Sequence, residues 1–201
     1  LEIGCGTGGN LSLLSKYGVL TGIELYDEAI EIASKRNICP IRKGSLPDNL
    51  QLSDKFDLIC MLDVLEHIED DSGALNSLAP QLSSNGMLLI TVPAYMFLWS
   101  AHDEIHHHQR RYTRKKLEDI IVKSGLKIKY SSYFNTLLFP LVYSVRLAGK
   151  LANKTQASDV NMPTPIVNLI LQSIFQLEEL ILRLIILPFG VSILVLAEKQ
   201  S

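Results

Sequence analysis

Short apolar runs without polar alternation, separated by segments of helical periodicity, limit this chain's fold more than any other feature. The runs are Leu1–Ile3, Val19–Glu24, Ile38–Arg42, Phe56–Met61, Met87–Val92 and Val191–Ala197, with Leu126–Tyr133 read as a sixth strand before the last. Helical spacing fills Asn10–Lys16, Asp27–Arg36, Asp71–Leu82 and Thr113–Ser124. A strand that is apolar on both faces must be covered on both, and intervening helices supply parallel crossovers. The expectation is an α/β fold: a doubly wound, mostly parallel seven-stranded sheet with a helical insertion before its last strand. Residues 1–135 and 190–199 then form the sheet domain, and 136–189 an apolar insertion or lid.

Helix ends are marked chemically. Asp27–Arg36 opens with acids and closes with bases, which suits the helix macrodipole. Asn85-Gly86 is expected to end the helix begun at Asp71, and Gly125 to end the one begun at Thr113.

The insertion departs from the rest in composition. Residues 136–201 hold 9 charged residues of 66. Two helices are expected, Leu137–Ala152 and Ile166–Leu187, joined by a polar turn through Lys154–Pro165. In the second, Ile166, Ile170, Ile174, Leu177, Ile181 and Leu184 form an apolar stripe, and Val167, Leu171 and Phe175 widen it. Asn168, Gln172, Glu178, Glu179 and Arg183 are read as its polar side. A spanning helix needs roughly 20 predominantly apolar residues, so the expectation is a surface-lying or covering element. Three uses stay open: a cap on the sheet or a homodimer contact, a lid over a lipophilic substrate, and a peripheral membrane contact.

Charge excludes other classes. A net charge of −2 on 201 residues fits neither a generally basic nucleic-acid binder nor an acidic disordered chain. The eight bases of Arg110–Lys129 lack interleaved aromatics, so no nucleic-acid partner is expected. Cys5, Cys39 and Cys60 have neither paired nor metal-ligand spacing, which points to free thiols in a reducing, cytoplasmic setting, with the membrane surface as an option. The chain starts at Leu1, inside a motif, and is expected to be a fragment.

That motif is Glu2-Ile3-Gly4-Cys5-Gly6-Thr7-Gly8-Gly9. Placed between a strand and a helix, its glycines allow a tight turn and close approach of backbone to a ligand. Glu24 falls at the end of the second strand, where a carboxylate can accept from ribose hydroxyls. Gly4, Gly6 and Gly9 also satisfy the dinucleotide pattern G-x-G-x-x-G, so the loop alone leaves nicotinamide and other adenosine cofactors open.

The wider pattern resembles class I S-adenosylmethionine-dependent methyltransferases of the small-molecule group that includes quinone-biosynthesis enzymes. The resemblance rests on Glu2-x-Gly4-x-Gly6-x-Gly8, Glu24, Phe56-Asp57-Leu58-Ile59, Asp63-Val64-Leu65-Glu66-His67-Ile68 and Gly86–Pro93. It implies a Rossmann-like sheet with an antiparallel last strand, S-adenosylmethionine as cofactor, and a small or lipid-like acceptor. It assigns Glu2, Gly4, Cys5, Gly6 and Gly8 to the loop that holds the methionine moiety, and Glu24 to the ribose. Ser45 and Leu46 fall beside the adenine, and Asp63 near the methionine end. Many relatives carry Gly-Asp after strand three where this chain has Gly44-Ser45-Leu46, so a charge-assisted adenine contact is missing. The alternatives are a nicotinamide-dependent oxidoreductase and a non-catalytic, membrane-associated cofactor-binding module.

Four of the five histidines sit in Trp99–Tyr112, after strand five, where acceptor-binding residues are expected. His102 or His108 is the candidate general base, with Asp103 beside them; His67, Trp99, Arg111 and Tyr112 are candidates for acceptor binding. A structural loop is the competing reading, and His67 also reads as a helix-start packing residue. No metal is expected, because His106, His107 and His108 are consecutive and cannot all face one ion in helix or strand geometry.

Overall fold

A computed structural model describes residues 1–50, 52–151 and 164–199, with the side chains of 149–151 excepted. The strands are β1 (Glu2–Ile3), β2 (Gly22–Glu24), β3 (Ile41–Lys43), β4 (Phe56–Leu62), β5 (Leu82–Pro93), β6 (Leu126–Phe134) and β7 (Ser192–Lys199). The helices are α1 (Leu11–Leu14), α2 (Asp27–Lys35), α3 (Asp71–Leu78), α4 (Ala101–Ile105), α5 (Arg114–Lys123), α6 (Phe139–Leu151) and α7 (Pro165–Leu182). One seven-stranded sheet runs in the order β3-β2-β1-β4-β5-β7-β6. Neighbours from β3 to β5 pair in parallel, and β7 is antiparallel to both β5 and β6. The strand order reverses direction beside β1, so the β1 and β4 carboxyl ends open onto one crevice, where such sheets bind ligands.

The core follows from the apolar runs. Ile59, Met61, Leu88, Ile90, Val92, Ile193 and Val195 are buried on the sheet, and Leu75, Leu78, Leu117 and Ile121 cover it from α3 and α5. Asp70 caps α3 by accepting the Gly73 N–H at 2.8 Å, and Thr113 caps α5 by accepting the Lys116 N–H at 3.3 Å. Each satisfies an otherwise unpaired donor of the first turn.

Three boundaries differ from expectation. Helix α3 stops at Leu78, because Pro80 lies in the 3-10 turn Ala79–Gln81 and has no N–H for a helical bond. Asn85-Gly86 therefore sits inside β5 instead of ending a helix. Gly86 packs so closely that a Cβ there would lie 2.7 Å from the Phe56 carbonyl oxygen. Helix α7 ends five residues early, since Leu187 precedes Pro188 and bridges instead to Tyr133 on β6.

The insertion is docked at one end and bare elsewhere. Glu178 is buried, not part of a polar outer side; its carboxylate accepts the backbone N–H groups of Asn135 and, at 2.9 Å, Leu137. Tyr130 donates its hydroxyl to the Leu182 carbonyl at 2.9 Å. Only 6% of α7 is buried, and by length and composition it is the one helix among the described residues able to cross a membrane. The expected turn Lys154–Pro165 lies outside the described residues apart from Thr164 and Pro165.

Candidate functional site

The crevice begins with the glycine loop after β1. Gly4, Gly6 and Gly8 all have positive φ, at +65°, +54° and +83°. Such a backbone disfavours any side chain. At Gly4 a Cβ would also lie 2.6 Å from Val64 Cγ2, so this glycine lets β1 and the β4 loop close together. Nothing lies within 4 Å of a Cβ at Gly6. That face of the loop is open to a ligand. Cys5 points the other way, buried against Gly22, and burial pushes its thiol up to about 12. Its side chain is packing beneath the loop. Arg36, the residue capping the end of α2, straps the loop, donating Nε to the Thr7 carbonyl at 2.6 Å. Helix α1 has only four residues, so the loop amides, not a helix dipole, supply the donors here.

Two buried carboxylates frame the loop. Glu24 Oε2 accepts the Gly6 N–H at 2.8 Å, and Oε1 accepts the N–H groups of Leu25 and Tyr26 at 2.8 and 3.1 Å. It therefore sets the loop's shape as well as facing the crevice. Glu2 is 1% exposed; Oε1 accepts from Asn10 at 3.1 Å, while Oε2 is buried with no partner. A buried carboxylate oxygen without a donor is costly. An ammonium or hydroxyl donor from a ligand would satisfy it, so the residues fit a cofactor with a charged amino-acid end.

Farther along the crevice, Asp63 has φ +55° and donates its N–H to the Thr91 backbone oxygen at 3.0 Å. Ser45 exchanges backbone hydrogen bonds with Asn49, and the half-buried Leu46 packs against the core. No carboxylate stands at Ser45, in keeping with the sequence.

The histidine-rich segment is more ordered than a loop. Asp103 lies on α4, wholly buried, and its carboxylate accepts from Ser100, Arg111 and His108. Burial would raise its pKa, but the Arg111 hydrogen bonds and charge outweigh burial and hold it low. Asp103 has no surface for a substrate. It is a positioning residue, because an ionised carboxylate only accepts and so fixes the proton on His108 Nδ1, 2.9 Å away. His108 Nε2 then faces Glu66 Oε1 at 4.0 Å.

Arg111 and Tyr112 are likewise structural. Arg111 is buried, with Nη1 on the Ala94 carbonyl at 3.1 Å. Tyr112 is fully buried and donates its hydroxyl to Asp71 at 2.9 Å. Both were expected to meet an acceptor, and burial removes them from that role. His102 is half-exposed, and burial followed by the neighbouring His106 lowers its pKa. That shift favours the neutral form, which a base needs. His67 is exposed, with its ring 4.6 Å from that of His108 in a T-shaped contact, and Trp99 is half-buried.

Glu66 is the residue the sequence reading passed over. It is 0% exposed, and neither carboxylate oxygen has a partner. Burial, reinforced by the Asp63 charge, pushes it up to about 8. The signal was there in Glu66-His67 directly after β4, one turn beyond Asp63.

This sheet, with its glycine loop after β1 and its antiparallel last strand, has the fold of class I S-adenosylmethionine-dependent methyltransferases. The chain belongs to the family described as "Methyltransferase domain", which matches residues 1–130. That match does not favour the nicotinamide alternative. A Thermotoga maritima S-adenosylmethionine-dependent methyltransferase superposes with a TM-score of 0.62 at 20% identity, over 99% of this chain and 80% of that one. Haemonchus contortus phosphoethanolamine N-methyltransferase 2, solved with S-adenosylmethionine, gives 0.64 at 15% identity over 100% of this chain and 48% of that one. At such identities the likeness concerns the fold alone. Among curated proteins, the mitochondrial ubiquinone biosynthesis O-methyltransferase of Schizosaccharomyces pombe is 31% identical over 99 residues, 45% of this chain and 36% of that one. The ubiquinone biosynthesis O-methyltransferase of Pelagibacter ubique is 27% identical over 147 residues, 64% and 61% of the two chains. The chain thus spans between about a third and three fifths of the length of these two relatives.

Proposed function

We propose that this protein transfers a methyl group from S-adenosylmethionine to a hydroxyl of a small lipophilic acceptor. The observation that carries this reading is an aromatic ledge beside the crevice. Tyr95 stacks on Phe97 and Tyr133 at 4.9 and 5.2 Å, and Phe139 of α6 continues the cluster to Tyr143 and Phe189. A cavity of about 480 Å³ lined by Phe97, Phe139, Tyr143, Arg146 and Leu147 opens in it. Such a surface suits a greasy molecule with one ring to align. The relatives named for ubiquinone biosynthesis support oxygen as the attacked atom.

When bound, the cofactor supplies a methyl group already activated on its sulfonium, so the protein's task is alignment and proton removal. Gly4–Gly8 and Glu2 hold the amino-acid end, Glu24 the ribose, and Ser45 and Leu46 flank the adenine. Asp63 borders the reacting end. His67 and Trp99 are within the acceptor's reach on this reading, and His102, kept neutral, takes the hydroxyl proton. The insertion lies on a lipid surface and receives the acceptor from it. The test is mass spectrometry of prenylated phenols and catechols incubated with protein and cofactor. A gain of one methyl on oxygen supports the reading, and methylation confined to amines overturns it.

A further inference from the structure

The buried cluster beside the crevice has the parts of a metal centre. One ligand atom from each of Glu66, His67 and His108 lies within 4.8 Å of the others. Glu66 and His67 come from the turn after β4, and His108 comes from the segment after α4. The expectation of no metal considered only His106, His107 and His108; the ligands instead come from two separate segments.

Three observations go beyond proximity. Glu66 is wholly buried with both oxygens unpartnered. Among the described residues no lysine or arginine hydrogen-bonds to it, although a buried carboxylate needs a cation or a donor. The His108 imidazole, moreover, has its other nitrogen engaged in the way metal ligands do. His108 Nδ1 is held by the Asp103 carboxylate at 2.9 Å. Metal-bound histidines almost always donate their second N–H to a carboxylate or backbone carbonyl, which fixes the ring and raises its basicity. Finally, one side is open: Glu66 is buried and His108 half-buried, but His67 is exposed. Three protein ligands with a free position make a site that can take a further oxygen ligand.

We infer that Glu66, His67 and His108 form a site for one first-row divalent cation, with a coordination position open toward the crevice. Two imidazoles and a carboxylate select borderline ions such as Zn²⁺, Co²⁺ or Fe²⁺ over Ca²⁺. The 4.0 Å between His108 Nε2 and Glu66 Oε1 would close to about 3.4 Å around a tetrahedral ion about 2.1 Å from each. The exposed His67 ring is free of core packing and can close the third distance. If the methyl-transfer reading holds, the open position would hold the acceptor oxygen and lower its pKa; the site itself does not depend on that reading.

The test uses tag-free protein without cofactor or acceptor, so methyl transfer has no bearing on the result. Co²⁺ titration followed by visible absorption, and Zn²⁺ titration by calorimetry, should each give one site per chain. Glu66→Gln keeps the shape of the side chain, and His67→Ala alters an exposed ring, so both should fold by circular dichroism. Each is expected to weaken binding at least about 100-fold, since loss of outer-shell partners alone costs about 10–100-fold. His106→Ala and His107→Ala should bind as the wild type does. No stoichiometric binding, or binding that survives Glu66→Gln and His67→Ala, would overturn the site.

Discussion

Arg111 holds Asp103 along one edge of its guanidinium, Nε to Oδ1 at 2.7 Å and Nη2 to Oδ2 at 3.0 Å, with both side chains buried. This pair ties the segment after α4 back to α4 itself and aims His108 at Glu66. Removing one partner leaves an uncompensated buried charge. Arg111→Ala or Asp103→Asn should therefore cost about 3–5 kcal/mol of folding stability, measured by urea unfolding. Arg111→Lys should recover little of it, because a lysine cannot form the two parallel bonds. A stable Asp103→Asn variant would contradict the arrangement.

Gly4 and Gly6 sit two residues apart in one loop and should fail differently. Gly4→Ala places a Cβ against Val64 at 2.6 Å, so it should lower stability by about 1–3 kcal/mol through overpacking alone. Gly6→Ala meets open space in the protein and carries only the backbone cost of a positive φ, about 1–2 kcal/mol. Its methyl group instead enters the volume left for the cofactor. Calorimetry should show at least a tenfold loss of S-adenosylmethionine affinity in folded Gly6→Ala. Normal affinity there would remove this face of the loop from the site.

The sheet was legible in the sequence because parallel strands buried on both faces leave unmistakable apolar runs. The cofactor loop was legible because positive φ restricts residue choice at Gly4, Gly6 and Gly8. Glu24 reads from the sequence as a candidate ribose ligand, but its hold on the Gly6 N–H does not, since that bond joins residues 18 apart through a loop whose path the sequence leaves open. The substrate side read poorly for a related reason. Arg111 and Tyr112 look like surface chemistry until Asp103 and Asp71 are found facing them, and Glu178 looks solvated until the N–H groups of Asn135 and Leu137 converge on it. Buried polar partners distant in sequence leave no local periodicity to read.

Tyr112→Phe tests the buried role directly. It removes the hydroxyl from Asp71 and should lower stability by about 1 kcal/mol with no change in acceptor KM. Burial would raise the pKa of Asp71, but hydrogen bonds from Arg110 and Tyr112 outweigh it and hold the carboxyl low. A depressed carboxyl contributes stability above its unfolded pKa, about 3.9, and loses it as pH falls through the folded value. The stability gap between wild type and Tyr112→Phe should be full at pH 6 and narrow below about pH 4. A gap independent of pH would assign it to packing alone.

Helix α7 offers the sharpest test of where the insertion works. Glu178 faces the sheet, and at about 100° per residue Leu169 and Leu180 both point to the opposite side. They are 64% and 60% exposed. Docking through Glu178 and the Leu182 carbonyl makes the helix lie along the protein, so its bare face is suited to lie in an interface instead of crossing it. Burial of a leucine side chain contributes about 1.5–3 kcal/mol, so two of them dominate a surface attachment of this kind. The wild type should sediment with phosphatidylcholine vesicles, and Leu169→Glu with Leu180→Glu should remain in the supernatant while binding S-adenosylmethionine unchanged. Wild-type protein that stays in solution with both neutral and anionic vesicles would defeat the lipid contact. A concentration-dependent dimer, lost in the same double variant, would then identify a second copy as the cover.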